Sequence, residues 1–496
     1  MDLATRFVQS ATKNKDKAAV HWGEESLSYQ HFADESGAVA QKILSDENFK
    51  PGTRVALWLK NQPEFISAVY GVLRSGGVVV PINNFLKPTE VAYILADAGA
   101  SALITDDELA EKLQEISEPL PNLSVLRTSE FSSLVSVSTS SAPPRVPARS
   151  PEDLAVIIYT SGTTGKPKGA MLSHGNLLHN VESCQHELEA IQLDRMAILL
   201  PMFHSFMLTV GVFLPLLVGG SIVLIRSLHP PKNILMELIK HQATILPAIP
   251  QLFRTLATIE LPPLPLRLCI SGAAPLPVEV LNLFTERVGI PLIEGYGLSE
   301  ASPVVSLNPI RDVRKPGSIG RPVKNVEVSI QNDQGQSLPN NEIGELCVRG
   351  GNVMMGYWNR PEESAATLVN GWLRTGDIGY RDDDGYFFIT DRKKDMLLVN
   401  GINVYPREIE ERLYEIKGVK EAAVVGQPHS KRGEQPVAFI ALDDGAEVDE
   451  STVKAFLKGR LADFKMPREI HVCDQLPRNA TGKILKTELR QRLSRS

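Results

Sequence analysis

The amino-acid sequence predicts an α/β protein with a large N-terminal domain, built of wound α/β subdomains and a β-rich subdomain, followed by a small α+β C-terminal domain. Short apolar strand patterns alternate with helical patterns through the first third of the chain. From Ile319 the pattern changes to strands separated by turns, and after a charged run at 391–395 it becomes mixed. A length of 496 residues also exceeds what one hydrophobic core usually holds.

The first third predicts a parallel sheet covered by helices on both faces, because strands and helices alternate. Ser28 is the predicted N-cap of the first helix in this series. Residues 128–150, rich in Ser and Pro, are predicted to form a linker or long loop. The predicted strands are 18–22, 54–59, 78–82 and 102–105, and the predicted helices are 28–44, 63–73 and 89–97.

A polar loop follows the uncharged strand pattern at 154–158. Between Tyr159 and Gly169 it contains three glycines, four Ser or Thr hydroxyls and two lysines. Glycines let backbone N–H groups turn inward, and hydroxyl and ammonium groups add donors, so the loop suits a polyphosphate. A plain surface loop is disfavoured by this density at a strand exit, and no Gly-Lys-Ser/Thr of a Walker loop is present. The expected phosphate-binding residues are Thr160, Ser161, Gly162, Thr163, Thr164, Gly165, Lys166 and Lys168.

Composition narrows the class of protein. Hydrophobic and charged contents of 43% and 22% are typical of a soluble globular protein, and a net charge of −6 argues against a nucleic-acid binder. The four cysteines lie far apart without zinc-site spacing, which favours reduced thiols in a cytoplasmic protein. The N-terminus has no signal-peptide pattern.

An uncharged stretch at 196–225 is long enough to suggest a membrane-spanning helix. However, Pro201, Pro215 and Gly219-Gly220 divide it into pieces. We expect a buried helix at 209–218, a stop at the two glycines and a strand at 221–225, without a transmembrane span.

Two further segments lie at or after predicted strands. Residues 271–275 follow the strand at 266–270, and residues 294–300 come one strand later. The small residues of the first would admit a flat purine at the carboxyl edge of a wound sheet. In the second an aromatic ring suits stacking on adenine, a hydroxyl suits a phosphate, and the carboxylate of Glu300 suits Mg²⁺. The segments are Ser271-Gly272-Ala273-Ala274-Pro275 and Glu294-Gly295-Tyr296-Gly297-Leu298-Ser299-Glu300.

The β-rich part and the C-terminal part carry three more candidates. Asp377 lies on a Thr-Gly-Asp turn, where a carboxylate can accept hydrogen bonds from two vicinal ribose hydroxyls. The charged run 391–395 precedes an independent pattern of predicted helices at 408–416 and 451–462 and strands at 422–425, 437–441 and 469–472. Lys483 lies on a polar loop before a terminal helix.

These motifs together resemble the adenylate-forming superfamily, which includes acyl-CoA synthetases, firefly luciferase and adenylation domains of peptide synthetases. The resemblance is carried by 159–174, by the Tyr-Gly-x-Ser-Glu of 296–300, by Thr375-Gly376-Asp377, by Asp391-Arg392-Lys393-Lys394-Asp395 and by the loop of Lys483. It implies that the C-terminal domain is mobile and rotates at Lys394 between two half-reactions. The implied domains are 1–393 and 394–496.

The resemblance also implies roles for individual residues. Asp377 would bind ribose, Arg392 would contact the nucleotide, and Lys483 would bind the substrate carboxylate and the α-phosphate. Gly401 would line a pantetheine channel. His204, between aromatic residues, is either a satisfied core histidine or, by resemblance, part of the acyl pocket. The implied catalytic residues are Lys483, Thr163, Glu300 and His204, with Glu300 as the metal ligand.

The implied function is an ATP-dependent acid–thiol ligase that forms an acyl-AMP and transfers the acyl group to coenzyme A, with ATP, Mg²⁺ and coenzyme A as cofactors. Segments 201–206, 295–303 and 391–396 are similar to bacterial medium- or long-chain fatty-acyl-CoA ligases, and Gly295 and Gly297 are expected to leave space for an alkyl chain. The alternative is an aryl-CoA ligase, such as a 4-coumarate-like enzyme, or another carboxylate–CoA ligase. A ligase that loads a carrier protein, a nucleotide-binding regulator and a membrane transport protein are disfavoured. A homodimer and peripheral membrane contact stay open.

Overall fold

The computed structural model describes residues 1–116, 123–138, 149–160, 166–228, 230–429, 432–479 and 482–495. Up to residue 138 the elements are α1 Leu3–Lys13, β1 Ala18–Trp22, β2 Glu25–Ser28, α2 Tyr29–Leu44, β3 Arg54–Trp58, α3 Pro63–Arg74, β4 Val78–Pro81, α4 Pro88–Ala98, β5 Ala102–Thr105, α5 Asp107–Lys112, β6 Ser124–Arg127 and α6 Phe131–Ser138.

All strands and helices predicted in the first third are present, with ends that differ by about one residue. Ser28 caps α2, since its hydroxyl accepts the N–H of His31 at 3.1 Å. The prediction of a linker over 128–150 is wrong in part, because α6 occupies Phe131–Ser138. Phe131 is buried there, and Leu134 packs beside the main core. Their spacing of three residues places both side chains on one face of the helix.

The middle of the chain completes two large sheets. Its elements are β7 Leu154–Thr160, β8 Lys168–Ser173, α7 His174–Glu187, β9 Arg195–Ile198, a π-helical segment Met207–Phe213 that continues into α8 Leu214–Val218, β10 Ser221–Leu224, α9 Lys232–Lys240, β11 Ile245–Ala248, α10 Pro250–Thr258, β12 Leu268–Ser271, α11 Val278–Val288, β13 Leu292–Gly297, β14 Val304–Leu307 and β15 Arg321–Pro322.

The two large sheets have mostly parallel central strands. One has nine strands in the order β15-β14-β13-β12-β11-β9-β10-β1-β2, and its strands from β13 through β1 run parallel. The other contains β7, β4, β3, β5 and β6 in parallel, with β8 antiparallel to β7. The wound α/β prediction is confirmed, and the carboxyl ends of β12 and β13 lie side by side.

The uncharged stretch at 196–225 contributes to the interior of the protein. Met207–Phe213 is entirely buried, and Gly219 ends α8 in the left-handed conformation with φ 87°. In the described part of the chain, no helix has the length and apolar character to cross a bilayer.

The remaining elements form a β-rich subdomain and a small α+β domain. The first contains β16 Val326–Gln331, β17 Gly344–Gly350, β18 Gly356–Tyr357, α12 Pro361–Thr367, β19 Leu368–Val369, β20 Trp372–Arg381 and β21 Phe387–Arg392. The second contains β22 Leu397–Val399, β23 Ile402–Val404, α13 Pro406–Tyr414, β24 Val419–His429, β25 Gly433–Leu442, α14 Glu450–Leu457, β26 Glu469–Cys473 and α15 Lys486–Arg495. Short 3₁₀ turns lie at Leu113–Glu115, Thr128–Glu130, Ser299–Ala301 and Asp463–Lys465.

Candidate active site

The two small-residue segments predicted to bind a nucleotide lie next to each other. Ser271 at the end of β12 pairs in parallel with Glu294 of β13, so the segments that follow leave the sheet at the same edge. They line a cavity of about 660 Å³ between the large and the small domain, to which the C-terminal loop also contributes Lys483. The predicted site residues on its wall are Ala273, Ala274, Glu294, Gly295, Tyr296, Gly297, Asp377, Arg392, Lys394 and Lys483.

Asp377 is held by two side chains that the sequence does not place beside it. The Tyr296 hydroxyl donates to Asp377 Oδ2 at 2.5 Å, and Arg392 Nε lies 3.1 Å from Oδ1. Asp377 pairs with Arg392 across β20 and β21, and only 3% of Asp377 is exposed. The carboxylate raises the pKa of Arg392, and burial raises the pKa of Tyr296, so the phenol remains a donor.

Lys483 extends into the same cavity from the loop before α15. Its backbone N–H donates to Asn479 Oδ1 at 2.9 Å. Burial, followed by repulsion from Arg392, lowers the pKa of the Lys483 ammonium to about 8. A lysine with this pKa is mostly protonated at neutral pH and loses its proton as the pH rises through about 8.

His204 lies near Lys483. Burial, together with the charge of Lys483, lowers the pKa of the imidazole to about 4, so the ring is neutral at pH 7. Its Nδ1 accepts the N–H of Phe206 at 3.3 Å, which assigns the ring proton to Nε2. His204 is not among the described residues that line the cavity. The hydrogen bond accounts for one ring nitrogen, and a role in the acyl pocket stays a prediction.

The predicted phosphate loop, 159–169, is described up to Thr160 and again from Lys166. Thr160 and Lys168 pair across β7 and β8, and the ammonium of Lys166 lies 5.6 Å above the ring of Tyr93. The other predicted donors lie outside the described residues: Ser161, Gly162, Thr163, Thr164 and Gly165.

Glu300 lies on the short turn after β13. Its Oε1 accepts the hydroxyl of Tyr357 at 2.9 Å, and the ammonium of Lys168 lies 5.6 Å from the centre of that tyrosine ring. Ser299, its neighbour, shares a 3.0 Å hydrogen bond with Ser205. The predicted metal carboxylate and a predicted phosphate-loop lysine therefore meet at one tyrosine.

The donor set suits a Mg²⁺ ion that arrives with a nucleotide. No group of three or more His, Cys, Asp or Glu with metal-binding geometry occurs among the described residues. Mg²⁺ is commonly held by one or two carboxylates together with substrate phosphates, so a single Glu300 fits that mode.

At three glycines of the predicted site, neighbouring groups occupy the position that a Cβ would take. The position that a Cβ would take on Gly295 is filled by Leu307, and on Gly297 by the carbonyl of Pro303. Both glycines therefore allow β13 to pack closely against Pro303 and Leu307. Both also line the cavity, and space for an alkyl chain beside them stays a prediction. Gly272 lies under Phe206, whose ring atoms would be 3.0 Å from a Cβ.

Gly401 is not brought to the cavity in this arrangement. It lies on the exposed turn between β22 and β23 with φ 79°, and no atom of the described residues lies within 4 Å of the position of a Cβ. Asn400 beside it has φ 53°, so the two form a tight left-handed turn.

The sequence did not reveal the contacts that the small domain makes with α10 and with the cavity wall at Glu294. Glu294 Oε1 accepts the N–H of Leu276 at 3.0 Å and lies 3.9 Å from Arg407 of α13. Burial raises the pKa of Glu294 to about 7 although Arg407 opposes this. Arg254 of α10 forms a 2.6 Å ion pair with Asp443, which follows β25. No local pattern links residues so far apart in sequence.

Two family models cover most of the chain. The model described as AMP-binding enzyme matches residues 7–358, and that described as AMP-binding enzyme C-terminal domain matches residues 408–483. The chain belongs to the AMP-binding enzyme family. Family membership confirms the resemblance found in the motifs and accounts for a nucleotide cavity between a large and a small domain.

Relatives of this AMP-binding enzyme activate different acids. A long-chain-fatty-acid–CoA ligase from Bacillus subtilis is 36% identical over 98% of this chain and 94% of its own length. A feruloyl-CoA synthase from Amycolatopsis is 34% identical over 98% of both. The chain is thus an adenylate-forming acyl- or aryl-CoA ligase that uses ATP and coenzyme A.

Solved structures support the fold. ATP-bound MatB from Rhodopseudomonas palustris matches with a TM-score of 0.91, at 31% identity over 99% of each chain. The apo structure of MatB matches with a TM-score of 0.79 at the same identity and coverage. This chain therefore superposes more closely on the ATP-bound structure of MatB than on its apo structure.

Proposed function

We propose that this enzyme activates a medium- or long-chain fatty acid as its acyl-AMP and transfers the acyl group to coenzyme A. The observation that supports the first step is the meeting of Lys483 with the Tyr296–Asp377–Arg392 group in one cavity. A nucleotide bound there would have its ribose at Asp377 and its α-phosphate within reach of a cation.

In the first half-reaction a carboxylate oxygen attacks the α-phosphorus of ATP. A new O–P bond forms, the bond to the bridging oxygen breaks, and pyrophosphate leaves. Two anions must approach, so neutralisation of their charge dominates the barrier. Lys483 supplies one cation, the loop from Thr160 to Lys168 supplies donors, and Glu300 would hold Mg²⁺, which supplies further positive charge when bound.

In the second half-reaction the thiol of coenzyme A attacks the acyl carbonyl of the mixed anhydride. The thiol loses its proton, a C–S bond forms, and AMP leaves with its phosphate oxygen. We propose that the small domain, 394–496, rotates about Lys394 between the steps and brings Gly401 to the site. In support, no hydrophobic cluster of the described residues joins side chains from before and after Lys394.

The fatty-acid assignment is supported by the motif similarity and by the Bacillus relative. An aryl acid is the second candidate, favoured by the feruloyl-CoA synthase at nearly equal identity. The glycines at 295 and 297 do not discriminate, because their neighbours fill the positions that a Cβ would take.

A panel of acids tests the proposal. Acetate, octanoate, palmitate, 4-coumarate and ferulate are compared by pyrophosphate release with and without coenzyme A, with Lys483→Ala as the background control. We expect kcat/KM to be highest for octanoate or palmitate and thioester to form only with coenzyme A. A preference for the cinnamates would replace the fatty-acid assignment with the aryl one.

We also propose a cytoplasmic location. All four cysteines are free, and Cys184, Cys269 and Cys347 are buried, as expected in a reducing compartment. Fractionation of cells that express the protein tests this: recovery in the periplasmic or secreted fraction would contradict it.

A further inference from the structure

Residues 354–358 form backbone hydrogen bonds both with the turn of Glu300 and with β8, the strand that follows the predicted phosphate loop. The N–H of Met354 donates to the carbonyl of Glu300 at 2.8 Å. Farther along, the N–H groups of Met355 and Trp358 donate to the carbonyls of Met171 and Gly169 at 2.9 and 2.8 Å. The backbone of the proposed metal carboxylate is therefore tied to β8 through one short segment.

Tyr357 is at the centre of this segment and contacts both sides with its side chain. Its hydroxyl donates to Glu300 Oε1 at 2.9 Å, while its ring lies under the Lys168 ammonium, 5.6 Å from the ring centre. Its backbone is held by pairing with Ala170 and by a 2.8 Å hydrogen bond to the Ser364 hydroxyl.

The Tyr357 hydroxyl is the donor in this contact, because an ionised carboxylate such as that of Glu300 can only accept. The hydrogen bond occupies one oxygen of Glu300 and does not engage the other.

We propose that Tyr357 is a positioning residue for adenylation, which orients Glu300 toward the metal that accompanies ATP and seats Lys168 beside the same phosphates. The inference rests on the proposed role of Glu300 in binding Mg²⁺. Groups that orient a metal ligand typically change metal affinity by about 10- to 100-fold when they are removed. A fixed carboxylate also needs no reorganisation when charge develops on the phosphates.

A role confined to stability would have a different signature. Loss of the hydroxyl would then lower the melting temperature or weaken nucleotide binding to the same degree with and without metal. A positioning role predicts that only the contribution of the metal falls. The ratio of nucleotide affinities with and without Mg²⁺ separates the two.

The test compares wild type with Tyr357→Phe, which keeps the ring under Lys168 and removes only the hydroxyl. Calorimetry measures binding of α,β-methylene-ATP with Mg²⁺ and, separately, with EDTA, so that no turnover occurs. We expect the gain in affinity that Mg²⁺ brings to fall about tenfold in Tyr357→Phe, with binding in EDTA unchanged.

Two controls make each outcome decisive. Tyr386→Phe also removes a buried phenol, one that donates to the carbonyl of Val313, and should behave as wild type. Glu300→Gln should lose the gain from Mg²⁺. If Glu300→Gln keeps that gain, the proposed metal role of Glu300 is wrong; if Glu300→Gln loses it while Tyr357→Phe keeps it, the positioning role of Tyr357 is wrong.

Discussion

Arg254 and Asp443 form a 2.6 Å ion pair that joins the large domain to the small one. Arg254 is mostly buried, with 13% of its side chain exposed, whereas 46% of the Asp443 side chain is exposed. The pair exists in the arrangement that brings Lys483 into the cavity, and a rotation of the small domain would separate it. Under the proposed rotation, we therefore expect the pair to stabilise the arrangement for adenylation relative to that for thioester formation.

Asp443→Lys should slow adenylation about fivefold and leave thioester formation from supplied acyl-AMP near normal, since a partly exposed pair contributes roughly 1 kcal/mol. The measurement is each half-reaction alone. Asp444→Lys, which makes the same charge change at the next, exposed residue, is the matched control. The double change Arg254→Asp with Asp443→Arg should restore the rate; equal slowing in both aspartate variants would contradict a role for the pair.

Lys483 should give adenylation a pH limit on the alkaline side. Its pKa is lowered to about 8, and the cationic form is the one that neutralises two anions, so activity is present below this pKa and is lost above it. The pH profile of kcat/KM for ATP should therefore fall through about pH 8. In Lys483→Arg, whose guanidinium stays charged, any remaining activity should not fall there. A wild-type profile that is flat to pH 9.5 would refute the assignment.

Lys483→Ala should abolish adenylation and spare thioester formation from supplied acyl-AMP. The reason is that a cation placed between carboxylate and phosphate acts only in the first transition state. Rapid-quench assays of each half-reaction check this. Equal loss of both steps in a folded variant would show that Lys483 has a general structural role.

Asp377→Ala should raise KM for ATP by about 10- to 100-fold and leave KM for the acid unchanged, because hydrogen bonds to a charged group contribute about 1.5–3 kcal/mol. The change also removes the partner of Arg392 in the same site. Asp333→Ala, which removes an exposed partner of Lys393, is the control with wild-type kinetics. Unchanged KM for ATP in Asp377→Ala would exclude ribose binding by this residue.

Lys394→Pro should retain adenylation and slow thioester formation by more than tenfold. Proline fixes φ near −65° and restricts the preceding residue, so a junction that must change its backbone angles is locked. Adenylation is the step expected to survive because Lys483 already lines the cavity in this structure. Lys394→Ala is the control and should support both steps. If Lys394→Pro catalyses both steps at wild-type rates, the hinge does not lie at Lys394.

The sequence alone determined the elements and the chemical character of the site segments. The strand at Ala18–Trp22 and the cap at Ser28 matched their predictions because both depend on residues a few positions apart. The small residues after β12, Tyr296 at the end of β13 and Glu300 after it were recognisable for the same reason. The helix at Phe131–Ser138 was missed, since its short apolar pattern lies in a segment dominated by serine.

Only the tertiary structure decided which side chains meet. The register of β20 on β21 places Asp377 against Arg392, and the segment 354–358 carries Tyr357 to Glu300. Packing also decided that the position of a Cβ on Gly295, a residue of the cavity wall, is filled by Leu307. Local patterns follow from neighbours within a turn or a strand, whereas these contacts depend on strand pairing and domain closure between residues remote in sequence.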